Sequence, residues 1–140
     1  MTVSFFQREK RIRELEESIR KLSFSDALFK VFGELKLNKE TIARRAFMPV
    51  RNIYRYLNEG VTPELDNLVK LLLAMNIPIR LSEALLYSAG YILNSSAKNV
   101  LYSILLENHS AVGGILEANE IIEEYNRTVR KEVIPLFKLN

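Results

Sequence analysis

The chain contains no cysteine and only one histidine, and these two absences exclude several kinds of site. Without cysteine there is no disulfide, no thiolate zinc site and no cysteine nucleophile. His109 alone cannot form a histidine-rich metal site, and the acidic residues lack the spacing of a calcium-binding loop. The sequence therefore predicts a protein that uses neither a metal nor a cofactor.

Glycine and proline are also scarce, with five and four among 140 residues, which leaves little room for the tight turns of a β-sandwich. No apolar run approaches the length that spans a bilayer. The N-terminus becomes charged too early for a signal peptide. Because apolar residues make up 48% of the chain and charged residues 26%, both ordinary globular values, we expect a soluble, cytoplasmic protein with no membrane association.

The positive charge is concentrated in the first half of the chain. Residues 1–60 carry 13 basic and 8 acidic side chains, whereas residues 61–140 carry 7 and 9. Between positions 36 and 60 only Glu40 and Glu59 oppose six basic residues, which are Lys36, Lys39, Arg44, Arg45, Arg51 and Arg55. Such a cluster is either a solvated face or the electrostatic footprint of a protein that binds a polyanion.

The spacing of apolar residues is helical throughout, and no stretch alternates as a β-strand does. We therefore predict an all-α fold of about eight helices. The first covers residues 4–22, with an apolar stripe in heptad-like spacing formed by Phe5, Ile12, Leu15, Ile19 and Leu22. This stripe either packs on the chain's own domain or forms a dimerisation arm, and the sequence leaves both interpretations open.

Local signals predict where other helices begin and end. The predicted N-terminal caps are Ser23 or Ser25, Asn38 and Ser82. We expect His109 to cap the end of a helix over 96–107. A last helix is predicted over 116–132, after a break at two consecutive glycines.

Residues 37–60 form the most informative segment, because two short predicted helices are joined there by a turn of about three residues. This is a helix-turn-helix pattern. Ala43 is small where the two helices must approach, and Ile42, Met48 and Ile53 supply the apolar contacts between them. The second helix then directs several polar side chains away from the core.

From Leu37 to about Pro78 the chain resembles the Xre-type, lambda-repressor-like helix-turn-helix family of bacterial and phage regulators. The matching residues are Leu37, Glu40, Ile42 and Ala43 at the opening, then Ile53 and Asn58, then Pro63, Leu65 and Leu68, and Leu72, Ala74, Asn76 and Ile77 at the close. The resemblance implies a five-helix DNA-binding bundle whose third helix enters the major groove. Family members usually act as dimers on a two-fold operator.

The resemblance assigns base contacts to the third helix of the bundle. Val50, Arg51 and Asn52 occupy its early positions, which face bases in the family, and Tyr54 and Arg55 follow one turn later. Arginine and asparagine carry the paired hydrogen-bonding groups that distinguish guanine and adenine edges.

Phosphate contacts are predicted around this helix. By resemblance, Lys39 opens the second helix against phosphate or base, and Asn58 lies where the next loop touches the phosphate backbone. Arg44 and Arg45 are assigned to phosphate by their charge and not by the resemblance.

Three positions depart from the family pattern. Phe47 stands in the turn where glycine is usual, Glu59 replaces a second common glycine, and Pro49 replaces a capping serine or threonine. If the turn needs a positive φ, a bulky residue there is strained. The departures favour an alternative, a protein-interaction module such as an antitoxin, anti-repressor or adaptor that keeps the fold as a scaffold for a protein partner.

The remaining segments complete the predicted organisation: an N-terminal helix over 1–22, a DNA-binding domain over 23–90, and a helical extension over 91–140. The extension is similar to one found on some Xre-type proteins of Gram-positive bacteria, without a settled activity. A Ser-x-x-Lys sequence at Ser95–Lys98 lacks the companion motifs of a penicillin-binding enzyme. We therefore predict a sequence-specific DNA-binding transcription regulator, a homodimer that binds double-stranded DNA, and not an enzyme.

Overall fold

The computed structural model describes residues 3–129 and 133–140, and every regular element in those ranges is a helix. The helices run α1 Val3–Ile19, α2 Phe24–Glu34, α3 Lys39–Arg45, α4 Val50–Asn58, α5 Leu65–Met75, α6 Ile79–Ser88, α7 Ala97–Glu107, α8 His109–Val112 and α9 Ile115–Val129. The predicted all-α class is confirmed. The predicted end of the last helix at 132 lies outside the described residues.

Helix α1 packs on the chain's own core through the C-terminal part of its apolar stripe. Leu15 and Ile19 are buried, Ile12 and Leu22 are half-buried, and the helix contacts α2 and α6. Phe5, at the other end of the stripe, is 48% exposed. A dimerisation role for α1 stays a prediction, and the first turns of the helix are the part whose apolar surface is available for it.

Three helices begin at side-chain caps, and two of these caps, Ser23 and Asn38, are ones that the sequence predicts. The Ser23 hydroxyl accepts a hydrogen bond from the Asp26 amide at 3.3 Å, and Asn38 accepts one from the Thr41 amide at 2.9 Å. Ser96 caps α7 in the same way, accepting from the Asn99 amide at 3.3 Å. Each cap satisfies an amide that has no partner within its helix.

Two predicted caps are wrong. Ser82 is buried in the interior of α6, which begins three residues earlier because the chain turns at Pro78, whose carbonyl accepts the Leu81 and Ser82 amides. His109 does not cap α7. Its neighbour Asn108 does so, donating from its side-chain amide to the Ile104 carbonyl at 2.8 Å, and His109 begins α8.

Helix α5 lies at the centre of the molecule. All residues from Leu68 to Met75 are buried, and α5 contacts α3, α7 and α9. One cluster of buried side chains extends from Leu15 on α1 to Phe137 near the C-terminus. The DNA-binding segment predicted over 23–90 and the extension predicted over 91–140 therefore share a core.

None of the helices in the described part of the chain combines the length and the hydropathy needed to cross a membrane.

Candidate nucleic-acid interface

Helices α3 and α4 pack against each other across a four-residue connection, 46–49. Ile42, Ala43 and Ile53 are 2%, 3% and 0% exposed. The small side chain of Ala43 allows the close approach that the sequence predicts, and the two isoleucines fill the space between the helices and the core. The Ser25 hydroxyl donates to the Tyr56 carbonyl, which ties α2 to the end of α4.

The connection contains the positive φ that makes Phe47 unusual. Phe47 has φ +52°, its amide donates to the Arg44 carbonyl at 3.2 Å, and the Met48 amide donates to the Ala43 carbonyl at 3.0 Å. This pair of bonds is the Schellman ending of a helix, in which glycine is the usual left-handed residue. The half-buried Phe47 side chain packs against the core, and that contact offsets a left-handed conformation that costs about 1 kcal/mol.

Glu59 does not need the freedom of glycine. Its φ is −113°, and the left-handed residue after α4 is Gly60, with φ +68°. The carboxylate of Glu59 is nevertheless exposed at the end of α4, so its negative charge lies beside the predicted phosphate-contacting residue Asn58.

Helix α4 separates an apolar face from a polar one. Ile53, Tyr56 and Leu57 are buried. The opposite face consists of exposed residues in helical spacing, which are Arg51, Tyr54, Arg55 and Asn58. Burial raises the pKa of Tyr56, so its hydroxyl stays uncharged inside the fold.

The remaining predicted DNA contacts differ in exposure. Arg44 and Arg45 are exposed at the end of α3, whereas Lys39, Val50 and Asn52 are half-buried. Val50 also packs against the core. Of the positions predicted to face bases, Val50 and Asn52 therefore present less surface than Arg51 and Arg55.

Tyr54, in the middle of α4, contacts the start of α3, which sequence spacing did not indicate. Its hydroxyl donates to Glu40 Oε1 at 3.4 Å, and Lys39 Nζ lies 5.3 Å from the centre of its ring. A cation over an aromatic face is attracted by the partial negative charge that the ring's quadrupole places on that face. Tyr54 thus holds Lys39 beside the exposed face of α4.

The basic residues of this region have no internal counter-ions. Within residues 3–129 and 133–140, no ion pair involves Lys36, Lys39, Arg44, Arg45, Arg51 or Arg55. Some basic residues elsewhere are paired, Arg20 and Arg80 with Glu16 and Lys98 with Asp66, whereas others in the same ranges, such as Arg11 and Arg13 of α1, are not. The region of α3, α4 and the residues just before α3 therefore combines six basic residues that have no ion-pair partner in the described part of the chain.

The N-terminus of α4 adds to the positive electrostatic potential of these basic residues. Its cap residue, Pro49, makes no side-chain hydrogen bond to the first amides of the helix. A helix N-terminus carries partial positive charge and donors that suit an anion such as phosphate. It lies at the same end of α4 as Arg51.

Comparison of the chain with protein-family models, with curated proteins and with solved structures finds no match. The functional assignment therefore depends on the residues and the geometry described above. Its central element is the exposed, unpaired positive face that α3 and α4 form together.

Proposed function

We propose that this chain is a sequence-specific, double-stranded DNA-binding transcription regulator of the Xre type, in which α3 and α4 act as the helix-turn-helix. The observation that carries the proposal is the set of basic residues without ion-pair partners around α4. A surface that keeps several arginines unpaired is suited to a ligand that supplies regular negative charge, as a phosphate backbone does. Such a regulator acts in the cytoplasm, where bacterial or phage DNA is found.

In the proposed complex, one group of residues contacts bases and a second group contacts phosphates. Arg51 and Arg55, assisted by Val50, Asn52 and Tyr54, meet base edges in the major groove. Good paired contacts of this kind contribute about 1–3 kcal/mol each to discrimination between bases. This is binding without chemistry, so the role needs no catalytic group, metal or cofactor.

The second group holds the phosphate backbone. It consists of Lys39 at the start of α3, Arg44 and Arg45 at its end, and Asn58 at the end of α4. Their contacts orient α4 in the groove and make the affinity fall as salt is raised. In a homodimer, the two reading helices would occupy half-sites about 34 Å apart.

The test is selection of binding sites from a library of random DNA duplexes by the purified chain. The variant Arg51→Ala/Arg55→Ala removes two charges from the exposed face of α4. The matched control, Lys10→Ala/Arg13→Ala, removes two charges from exposed positions of α1. We expect the parent and the control to enrich one two-fold symmetric site and the α4 variant to enrich none.

Two results would contradict the proposal. If all three proteins recover duplexes without enriching any sequence, the positive charge attracts DNA without discriminating between bases. Equal enrichment by the parent and the α4 variant would place the reading surface elsewhere. In the first case the protein-interaction module becomes the better interpretation of the fold.

A further inference from the structure

The last eight residues, 133–140, form a non-helical segment that enters the core of the molecule. Ile134 and Phe137 are 1% and 5% exposed. The ring of Phe137 stacks on Tyr102 of α7, with centroids 5.5 Å apart. Two side chains of the segment, three residues apart, are thus inserted into the body of the protein.

Two asparagines of α9 hold the backbone of this segment. Asn119 donates to the Phe137 carbonyl at 3.0 Å and accepts from the Phe137 amide at 2.8 Å. Asn126 makes the same pair with Ile134, donating at 2.9 Å and accepting at 2.8 Å. Each side-chain amide therefore satisfies both the N–H and the C=O of one backbone residue.

The spacing of the two pairs is a geometric match between a helix and an extended chain. Asn119 and Asn126 are two turns apart, about 10 Å along the axis of α9. Three extended residues, from Ile134 to Phe137, also cover about 10 Å. Pro135 favours this shape because the residue before a proline is biased towards extended conformations. The segment lies antiparallel to α9.

A third backbone contact comes from the centre of the molecule. Lys70 of α5 is 3% exposed and donates from Nζ to the Lys138 carbonyl at 2.8 Å. The three polar side chains that bind the segment, Lys70, Asn119 and Asn126, all recognise main-chain atoms. Such recognition is independent of sequence, so the side-chain requirement falls on the two inserted positions, 134 and 137.

Other apolar side chains of the segment, before, between and after the inserted positions, do not contribute to this fit. Val133, Leu136 and Leu139 are 77%, 43% and 43% exposed. The solvent side of the neighbouring helix α9 is acidic, with exposed glutamates at positions 117, 120, 123 and 124. A ligand for the same groove therefore needs an aliphatic residue, an aromatic residue three positions later, and no acidic residues.

We propose that the groove between α5, α7 and α9 is a binding site for an extended peptide segment of another protein, and that the chain's own residues 134–138 are its resting occupant. The partner segment carries an aliphatic residue followed three positions later by an aromatic one and is neutral or basic. It displaces the C-terminal segment and takes over its pairs with Asn119 and Asn126. The site is separate from α4, and the proposal does not depend on DNA binding.

The test uses the full chain and a labelled octapeptide with the sequence of residues 133–140. The variant Ile134→Ser/Phe137→Ser removes the two side chains inserted in the groove and changes no residue of α5, α7 or α9. The matched control, Val133→Ser/Leu136→Ser, changes exposed positions of the same segment. By fluorescence anisotropy we expect the emptied variant to bind the octapeptide at least about tenfold more tightly than the parent or the control, because a tethered occupant competes at millimolar effective concentration.

Backbone recognition is tested by methylating the peptide. An N-methyl group on the phenylalanine removes the N–H that Asn119 accepts, and we expect binding to the emptied variant to be lost. The control peptide carries the methyl on the preceding leucine, whose amide lies between the two pairs and bonds to neither asparagine. Absence of binding to the emptied variant, or equal binding of the two methylated peptides, would overturn the proposal.

If the emptied variant loses its helical circular dichroism, the isotope-labelled parent replaces it. Excess octapeptide should then move the Phe137 amide resonance from its docked to its free position, and an unmoved resonance at millimolar peptide would overturn the proposal. A concentration-dependent dimer of the parent that Phe137→Ser abolishes would also overturn it. That result would assign the groove to the C-terminal segment of a second copy.

Discussion

Lys70 and Asn119 are buried polar side chains whose hydrogen-bond partners come from the C-terminal segment. A buried polar group without a partner costs several times what a satisfied hydrogen bond contributes. Burial and the nearby Lys138 charge both lower the pKa of Lys70. Lys70 and Asn119 therefore need the main-chain groups of the C-terminal segment as hydrogen-bond partners. Any peptide that replaces the segment must supply the same main-chain groups.

His109 is a second residue whose partner is distant in sequence. Its Nδ1 lies at hydrogen-bond distance from Asn76 Oδ1, at the left-handed end of α5. Burial lowers the pKa of His109 from its ordinary value of 6.5. The folded state therefore prefers the neutral ring, and an unfolded chain binds the proton more readily.

We expect this preference to make stability depend on pH through His109. The contribution of neutral His109 to the free energy of unfolding is fully present above the pKa of the unfolded state, near 6.5. It is lost as the pH falls through the lower pKa of the folded state. Replacement by glutamine keeps a hydrogen-bonding side chain but cannot titrate. The drop in melting temperature between about pH 7.5 and about pH 5.5 should be smaller in His109→Gln than in the parent.

The chain has no other histidine, so the difference between the two proteins in this range isolates one group. Equal drops in the parent and the variant would show that the pKa of His109 is the same in the folded and unfolded states.

At the scale of elements, several helices end without glycine. Lys36, Phe47 and Asn76 have φ of +54°, +52° and +52°, and they follow α2, α3 and α5. After α2, the Leu37 amide donates to the Phe32 carbonyl at 2.9 Å, as in a Schellman ending. These helices therefore stop because tertiary contacts and backbone bonds hold the next residue left-handed, at a cost in strain.

Lys36 allows this strain to be measured, because its side chain is exposed. We expect Lys36→Gly to raise the free energy of unfolding by up to about 1 kcal/mol, since glycine adopts the left-handed conformation without the Cβ clash. Phe47→Gly relieves the same strain but also removes an apolar contact with the core. Phe47→Gly should therefore raise the free energy of unfolding by less than Lys36→Gly does, or lower it.

Urea unfolding of the two variants and the parent would measure both effects. A Lys36→Gly protein less stable than the parent would mean that the added freedom of glycine in the unfolded chain outweighs the strain.

At the scale of the whole molecule, the shared core predicts one cooperative unfolding transition. Tyr102 connects three parts: its hydroxyl donates to Asp66 Oδ1 at 2.9 Å at the start of α5, and its ring stacks on Phe137. Burial and the Asp66 carboxylate raise the pKa of Tyr102, so the phenol remains a donor at neutral pH. The segment 91–140 is thus bonded to α5, which also supports α3.

We therefore expect amides of α5, α7 and α9 to exchange with solvent through the same opening event. Native-state hydrogen exchange in low denaturant should give these helices similar unfolding free energies. Slower exchange in α5 than in α7 and α9 would indicate that 91–140 opens as a unit of its own, as the organisation predicted from sequence implies.

The sequence by itself determined the features that depend on near neighbours. Helical periodicity predicted the all-α class and the buried face of α4, because the apolar positions repeat every three to four residues. The caps at Ser23 and Asn38 were equally predictable from sequence, since each bonds an amide three residues away. The outward positions of Arg51 and Arg55 followed from the same periodicity, so much of the candidate interface was predictable.

Only the tertiary structure decided the contacts between distant residues. Tyr54 meets Glu40 from 14 positions away, Asn119 meets Phe137 from 18, and Lys70 meets Lys138 from 68. No local pattern encodes such partners, because a side chain's propensity is independent of what the fold brings beside it. The peptide-like docking of the C-terminal segment is of this kind, since its two asparagines are recognisable as a pair only when α9 and the segment lie together.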